Sequence, residues 1–187
     1  MKLTLICPKW QQGLWSVRIF KMPPLGLARI ASVTPDDIEV EIIDENIEEI
    51  HFEETDIVGI SVMTPTAHRA YEIADKYRKL GSKVILGGIH PSILPEEAIE
   101  HADSVVIGEA DDIWPQVIQD CVKNKLQKFY IAEQEPDLSK LPPLRRDLLK
   151  KISTSSEILF RLLEDVHLIV IFVLFPDSME RKCGTGQ

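Results

Sequence analysis

Residues 87–92, Gly-Gly-Ile-His-Pro-Ser, place two glycines, an imidazole and a hydroxyl within one short stretch, leaving backbone that a ligand could approach closely. Four other stretches carry comparable groups: PPLGL at 23–27, DEN at 44–46, SVMTPT at 61–66 and GEADD at 108–112. Taken singly, each has a plainer use. Gly87 and Gly88 suit a tight strand-to-helix turn, Ser61 and Thr64 suit helix caps, and Asp44 and Glu109 suit solvated strand ends. His90 has no Cys, His or Asp partner at ligand spacing, so no metal site is expected around it. Cys7, Cys121 and Cys183 are too widely spaced for a local metal motif, and their odd number suits a reducing compartment.

The elements that must position these groups follow from periodicity. Up to about residue 126, short apolar runs alternate with segments of helical period, which predicts an α/β fold with a parallel sheet covered on both faces by helices. Five strands are expected, at 3–7, 38–43, 57–62, 84–86 and 105–107. Ala70, Ile73, Ala74, Tyr77 and Leu80 recur at helical spacing, as do Ile113, Val117, Ile118, Cys121 and Val122, and both sets are read as core-facing stripes. Thr64 before Pro65 reads as a helix N-cap, Gly81 as that helix's stop, and Pro95 with Glu96 and Glu97 as another helix start. The stretch PDLSKLPP at 136–143 has linker composition. The domain is therefore expected to span 1–140, with a linker at 141–151 and an aberrant tail at 152–187.

The chain's 187 residues suffice for one ordinary domain and a short remainder. Its 44% hydrophobic and 27% charged content is that of a soluble globular protein with a real core. A net charge of −9 without a Lys/Arg stripe argues against nucleic acid and favours small-molecule or protein partners. The start, MKLTLICPKW, reads as a first strand and not a signal peptide. The apolar run at 168–175 is shorter than the ~20 residues a bilayer crossing takes. A cytoplasmic protein, away from membranes, is expected.

In open parallel sheets ligands bind outside the carboxyl ends of the strands, and the five loops share that edge. Their combination, with the stretches PPLGLARIAS, VEIIDENIEE, VGISVMTPT, VILGGIHPSILPEEAIEHADSVVIGEAD and LPPLRRDLL, resembles the N-terminal cobalamin-binding domain of cobalamin-dependent radical S-adenosylmethionine enzymes over about residues 1–150. The resemblance implies a Rossmann-like (flavodoxin-like) fold, the corrin ring over the strand ends and the nucleotide tail entering the sheet's edge. It implies that Ser61, Met63 and Thr64 line the tail, Gly87 and Gly88 give it room, and Gly108 and Glu109 close the other side. Trp10, Pro24, Leu25, Gly26, Asp44, Asn46 and His90 complete the candidate cofactor contacts. Related domains in mutases and methionine synthase carry Asp-x-His-x-x-Gly after the first strand, whereas residues 8–13 here are Pro-Lys-Trp-Gln-Gln-Gly. With Trp10 at the histidine's place, cobalamin is expected to bind without a protein imidazole on cobalt.

The resemblance further implies a Cys-x-x-x-Cys-x-x-Cys motif after LPPLRRDLL, holding a [4Fe-4S] cluster that cleaves S-adenosylmethionine. This sequence lacks it, so cluster and S-adenosylmethionine are expected only in the parent family. Codons for residues 158–175, chosen within their degeneracy, can be read in another frame as FIQTTRGCPFDCNFCVV, which contains that motif. A frameshift near Glu157 or Ile158 is thus one account of the tail, testable on the nucleotide sequence. The expected function is a cobalamin-binding module without catalytic residues of its own, derived from an enzyme of methyl transfer or related radical chemistry. The alternatives are an enzyme completed by a separate or intact catalytic domain and a receiver-like signalling domain. The latter needs acidic residues at the end of the first strand, where Cys7, Pro8 and Lys9 stand.

Overall fold

A computed structural model describes residues 1–10, 23–132, 136–137 and 139–150. The tail at 152–187, its apolar run and Cys183 lie outside the described residues, as do Gln11, Gln12 and Gly13.

Strand β1 (Lys2–Cys7) is buried on both faces through its centre, which fits a strand with neighbours on both sides and helices above and below. It lies between β2 (Glu39–Asp44) and β3 (Ile57–Ser61), followed outward by β4 (Lys83–Gly87), β5 (Ser104–Ile107) and β6 (Phe129–Ile131). Every pairing is parallel. The order β2-β1-β3-β4-β5 is that of a Rossmann-like, flavodoxin-like sheet, reversing direction between β1 and β3.

Period-two alternation divides the core between two faces. Ile6, Val58, Ile60, Val84, Leu86 and Val105 pack with Ala70, Ile73, Ala74 and Tyr77 of α2 (Ala67–Lys79). Leu3, Leu5, Ile57, Ile85 and Val106 face the other way, toward Leu27, Ala28 and Ala31 of α1 (Leu25–Ser32) and the later Trp114, Val117, Ile118 and Cys121. Between β4 and β5 lie two short helices, α3 (Ile89–Ile93) and α4 (Pro95–Ala98). Helix α5 (Trp114–Val122) then carries the stripe predicted for it.

The sheet has six strands and not five. The sixth is three residues long and follows the polar run KNKLQK, so neither its length nor its approach stands out in the sequence, and only pairing to β5 defines it. Two stripe positions also differ. Leu80 and Val122 end their helices and are about half exposed. Thr64 does not cap α2: with Pro65 and Thr66 it forms a single 3-10 turn, and the Thr66 hydroxyl receives the Met63 amide at 3.1 Å. Gly81 does stop α2, at φ +92°, where glycine alone avoids a steric cost.

Met1–Lys150 is one compact unit. Within it the Arg145 amide donates to the Ala28 carbonyl at 3.2 Å, Arg29 Nη1 donates to the Pro142 carbonyl at 2.5 Å, and Leu148 and Leu149 pack beneath α1.

Candidate functional site

Two clusters of side chains and amides form at the carboxyl ends of the strands. The first joins the ends of β1 and β2, which pair up to Cys7 opposite Asp44. Asp44, buried, accepts from the backbone and side-chain amides of Asn46 at 2.9 and 2.8 Å through the same oxygen. Asn46 Oδ1 in turn accepts the Trp10 amide at 3.2 Å, which leaves the Trp10 ring half exposed at the edge. Asn46 Nδ2 also lies 3.8 Å from Cys7 Sγ. Burial, with Asp44 and Glu45 nearby, pushes the Cys7 thiol up to about 12, so it stays protonated at neutral pH. Its roles here are packing and weak acceptance.

The second cluster spans β3, β4 and β5. Ser61 pairs with Gly87, the Val62 amide donates to the Gly87 carbonyl at 2.8 Å, and the His90 amide donates to the Val62 carbonyl at 3.2 Å. Gly88, at φ +103°, passes so close to β3 that a Cβ there would stand 2.9 Å from the Val62 carbonyl oxygen. Its want of a side chain thus serves the contact between two strand ends. Gly87 differs: a Cβ on it would have its nearest neighbours, in Val106, at 3.9 Å, an ordinary contact that a small side chain could make without strain. Gly108 follows β5 at φ +86° and packs against Ala132, while Glu109 projects into solvent.

His90 is buried and turned inward. Its Nδ1 lies 3.4 Å from Thr64 Oγ1 and its Nε2 lies 3.3 Å from Glu97 Oε1. A carboxylate accepts only, so the Nε2 hydrogen points to Glu97, while Nδ1 faces the Thr64 hydroxyl. The His90 ring holds the Glu97 carboxyl below the usual carboxylate range. No group of three His, Cys, Asp or Glu side chains among the described residues could hold a metal ion.

Of the remaining candidates, Pro24, Leu25 and Gly26 form the start of α1, with nothing within 4 Å of a Cβ built on Gly26. Met63 is exposed at the end of β3. Beside it the sequence reading missed Ile89, Ile93 and Leu94, exposed by 60%, 66% and 45% on and after α3, a density of open apolar side chains that asks for a covering group. It also missed Arg69, which grips Glu45, and Ser92, whose hydroxyl lies between Gly88 and Gly108. The apolar positions were legible as an unpaired run, Ile-Leu at 93–94, but the two polar links depend on tertiary contact. Open space at Gly26, the switch between β1 and β3, and exposed apolar side chains at the strand ends mark this edge as a place where a ligand could bind.

Residues 14–118 match the B12 binding domain family. The chain belongs to this family. As a B12 binding domain it is similar to bacteriochlorophyllide d C-8(2)-methyltransferase of Chlorobaculum tepidum, 38% identical over 136 residues, covering 72% of the chain and 30% of that protein. It is similar too to bacteriochlorophyllide d C-12(1)-methyltransferase of the same organism, 29% identical over 145 residues, with 76% and 32% covered. Hopanoid C-2 methylase of Rhodopseudomonas palustris is 30% identical over 128 residues, with 65% and 24% covered. The chain thus spans about a third or less of the length of these relatives. No helix among the described residues is long and apolar enough to cross a membrane.

Proposed function

We propose that this B12 binding domain positions cobalamin for a radical S-adenosylmethionine methyltransferase, with the corrin ring over the strand ends and the nucleotide tail between the β3–β4 and β5 ends. The observation that carries this reading is the group of exposed apolar side chains, Met63, Ile89 and Ile93, at the carboxyl ends of the parallel strands. When bound, cobalamin supplies a cobalt able to carry a methyl group, the hard chemistry lying with the cofactor.

This chain's residues bind and orient. Met63, Ile89 and Ile93 offer apolar contact to the ring's underside, Ser61 and Thr64 offer hydroxyls toward the tail, and Trp10 occupies the place where related domains carry a cobalt-ligating histidine. Asp44 and Asn46 hold the Trp10 backbone in place. Cluster and S-adenosylmethionine chemistry are assigned to a catalytic domain outside residues 1–150, in the same polypeptide or a separate one; a cluster-bearing protein that co-purifies with this chain supports the second arrangement. The names of the relatives make a hydrophobic polycyclic methyl acceptor the leading substrate class for the assembled enzyme.

An absorbance titration with hydroxocobalamin followed by gel filtration tests the binding reading. Co-elution of the coloured cofactor with the protein is expected. A folded chain, verified by circular dichroism, that elutes colourless at saturating cofactor overturns it.

A further inference from the structure

The Ser92 hydroxyl donates to one strand end and accepts from its neighbour. Its oxygen accepts the Gly108 amide at 3.0 Å, and its proton goes to the Gly88 carbonyl at 2.8 Å. Gly88 follows β4 and Gly108 follows β5, at φ +103° and +86°. Glycines at positive φ are the backbone's least restricted points, because no Cβ narrows their choice. The ladder between β4 and β5 does not restrain them: it registers Ile85 with Ser104 and Leu86 with Val105, and stops short of both glycines.

On either side of this gap the backbone is well tied. Gly87 and His90 are bonded to Val62 of the β3 end, and the Ala132 amide donates to the Ile107 carbonyl at 2.9 Å, joining β5 to the chain beyond β6. The Ser92 side chain bridges the two tied halves. It stands where the resemblance puts Gly87 and Gly88 on one wall of the tail slot and Gly108 on the other.

We propose that Ser92 is the positioning residue of the nucleotide-tail slot, setting the separation of Gly88 and Gly108 without itself touching the corrin. This rests on the cobalamin reading above. Losing the hydroxyl removes the Gly108 amide's partner, while the Gly88 carbonyl keeps the Ser92 amide at 3.2 Å, so the β5 end is released from α3 and the slot samples more states. The ring-binding surface formed by Met63, Ile89 and Ile93 is not changed by this loss.

The test uses the full chain with Ser92→Ala and Ser92→Thr. Hydrogen exchange at the Gly108 amide, read without ligand, is expected to speed up at least about tenfold in Ser92→Ala and to recover in Ser92→Thr. Affinity is then measured for cobalamin and for cobinamide, which keeps the ring and lacks the nucleotide tail. Ser92→Ala is expected to weaken cobalamin about fivefold, the effect of a modest net hydrogen bond, and to leave cobinamide unchanged, with Ser92→Thr restoring cobalamin. Equal losses for both ligands, or unchanged cobalamin affinity, overturn the proposal, as does unaltered Gly108 exchange. A parent chain that binds neither ligand sinks the cobalamin reading and the slot role with it, and the Gly108 exchange then reports separately whether the bridge itself exists.

Discussion

Arg69 on α2 clasps Glu45 after β2, with Nε 2.9 and 3.1 Å from the two carboxylate oxygens and Nη2 2.5 Å from Oε1. The Lys9 amide donates to Glu45 Oε2 at 3.0 Å, so one carboxylate fixes the loops after β1 and β2 against a helix. Burial alone raises the Glu45 carboxyl, but Arg69 and the Lys9 amide outweigh it and hold it below the usual carboxylate range. A depressed carboxyl contributes stability above its unfolded value of ~4.3, lost as pH falls through the lower folded value. Glu45→Gln is therefore expected to cost about 2 kcal/mol at pH 7, between exposed and fully buried pairs. Urea unfolding at pH 7 and at pH 3 checks it: the difference between parent and variant should shrink on acidification, and a constant difference rejects the role.

The site's glycines separate by surroundings. Gly88→Ala must place a Cβ 2.9 Å from a backbone oxygen at φ +103°, and about 2 kcal/mol of destabilisation is expected. Gly26→Ala adds a methyl to the first turn of α1 where nothing lies within 4 Å, and should be neutral or stabilise by about 0.5 kcal/mol. Thermal melts distinguish the two. If the PPLGL turn contacts cofactor, Gly26→Ala will nevertheless weaken cobalamin binding while the melt stays put; loss of both together would assign the glycine to the fold.

Most of the sheet was legible because its strands are buried on both faces, so Leu3 to Cys7 and Ile57 to Ser61 appear as apolar runs without needing context. β6 was not, because Phe-Tyr-Ile is too short to signal itself and its polar approach looks like a loop. Thr64 illustrates a different limit. Thr-Pro reads as a cap, yet the capping bond is made by Thr66 two residues on, since the chain tightens into a 3-10 turn before α2 begins. In the site, sequence order placed each glycine at a strand end but could not say which is crowded: a Cβ on Gly87 would make ordinary contact with Val106, while one on Gly88 would meet the Val62 carbonyl at 2.9 Å. The Glu45–Arg69 and Ser92–Gly108 links were hidden for the same reason, since each joins residues on different elements.

Both described cysteines should resist alkylation in the native state. Cys7 is pushed up to about 12 and Cys121 is raised, burial being the first cause in each. Because the thiolate is the nucleophile, iodoacetamide at pH 8 is expected to label both at least about tenfold more slowly than in denaturant. Peptide mapping by mass spectrometry assigns the sites. Rapid native labelling of Cys7 would mean that the contacts of Asn46 and the β1–β2 edge are not kept in solution.

The bound cobalt should carry no protein imidazole. Trp10, which the resemblance sets at the place of the ligating histidine of related domains, stands half exposed. His90, buried at this edge, is 6% exposed and has both ring nitrogens facing side chains of its own chain, Thr64 and Glu97. Presenting either nitrogen to a ligand above the strand ends would require turning a buried ring outward and leaving the Thr64 hydroxyl and Glu97 without it. His101 is likewise held, by Asp75 at 3.1 Å, and His68 lies 3.3 Å from Glu72. Spin resonance of the cobalt(II) form on protein grown with 15N-histidine gives the direct reading. Its nitrogen splittings should be the same as in unlabelled protein, because any axial nitrogen then belongs to the cofactor's own base, whereas a change of splitting on labelling would place a histidine on the metal.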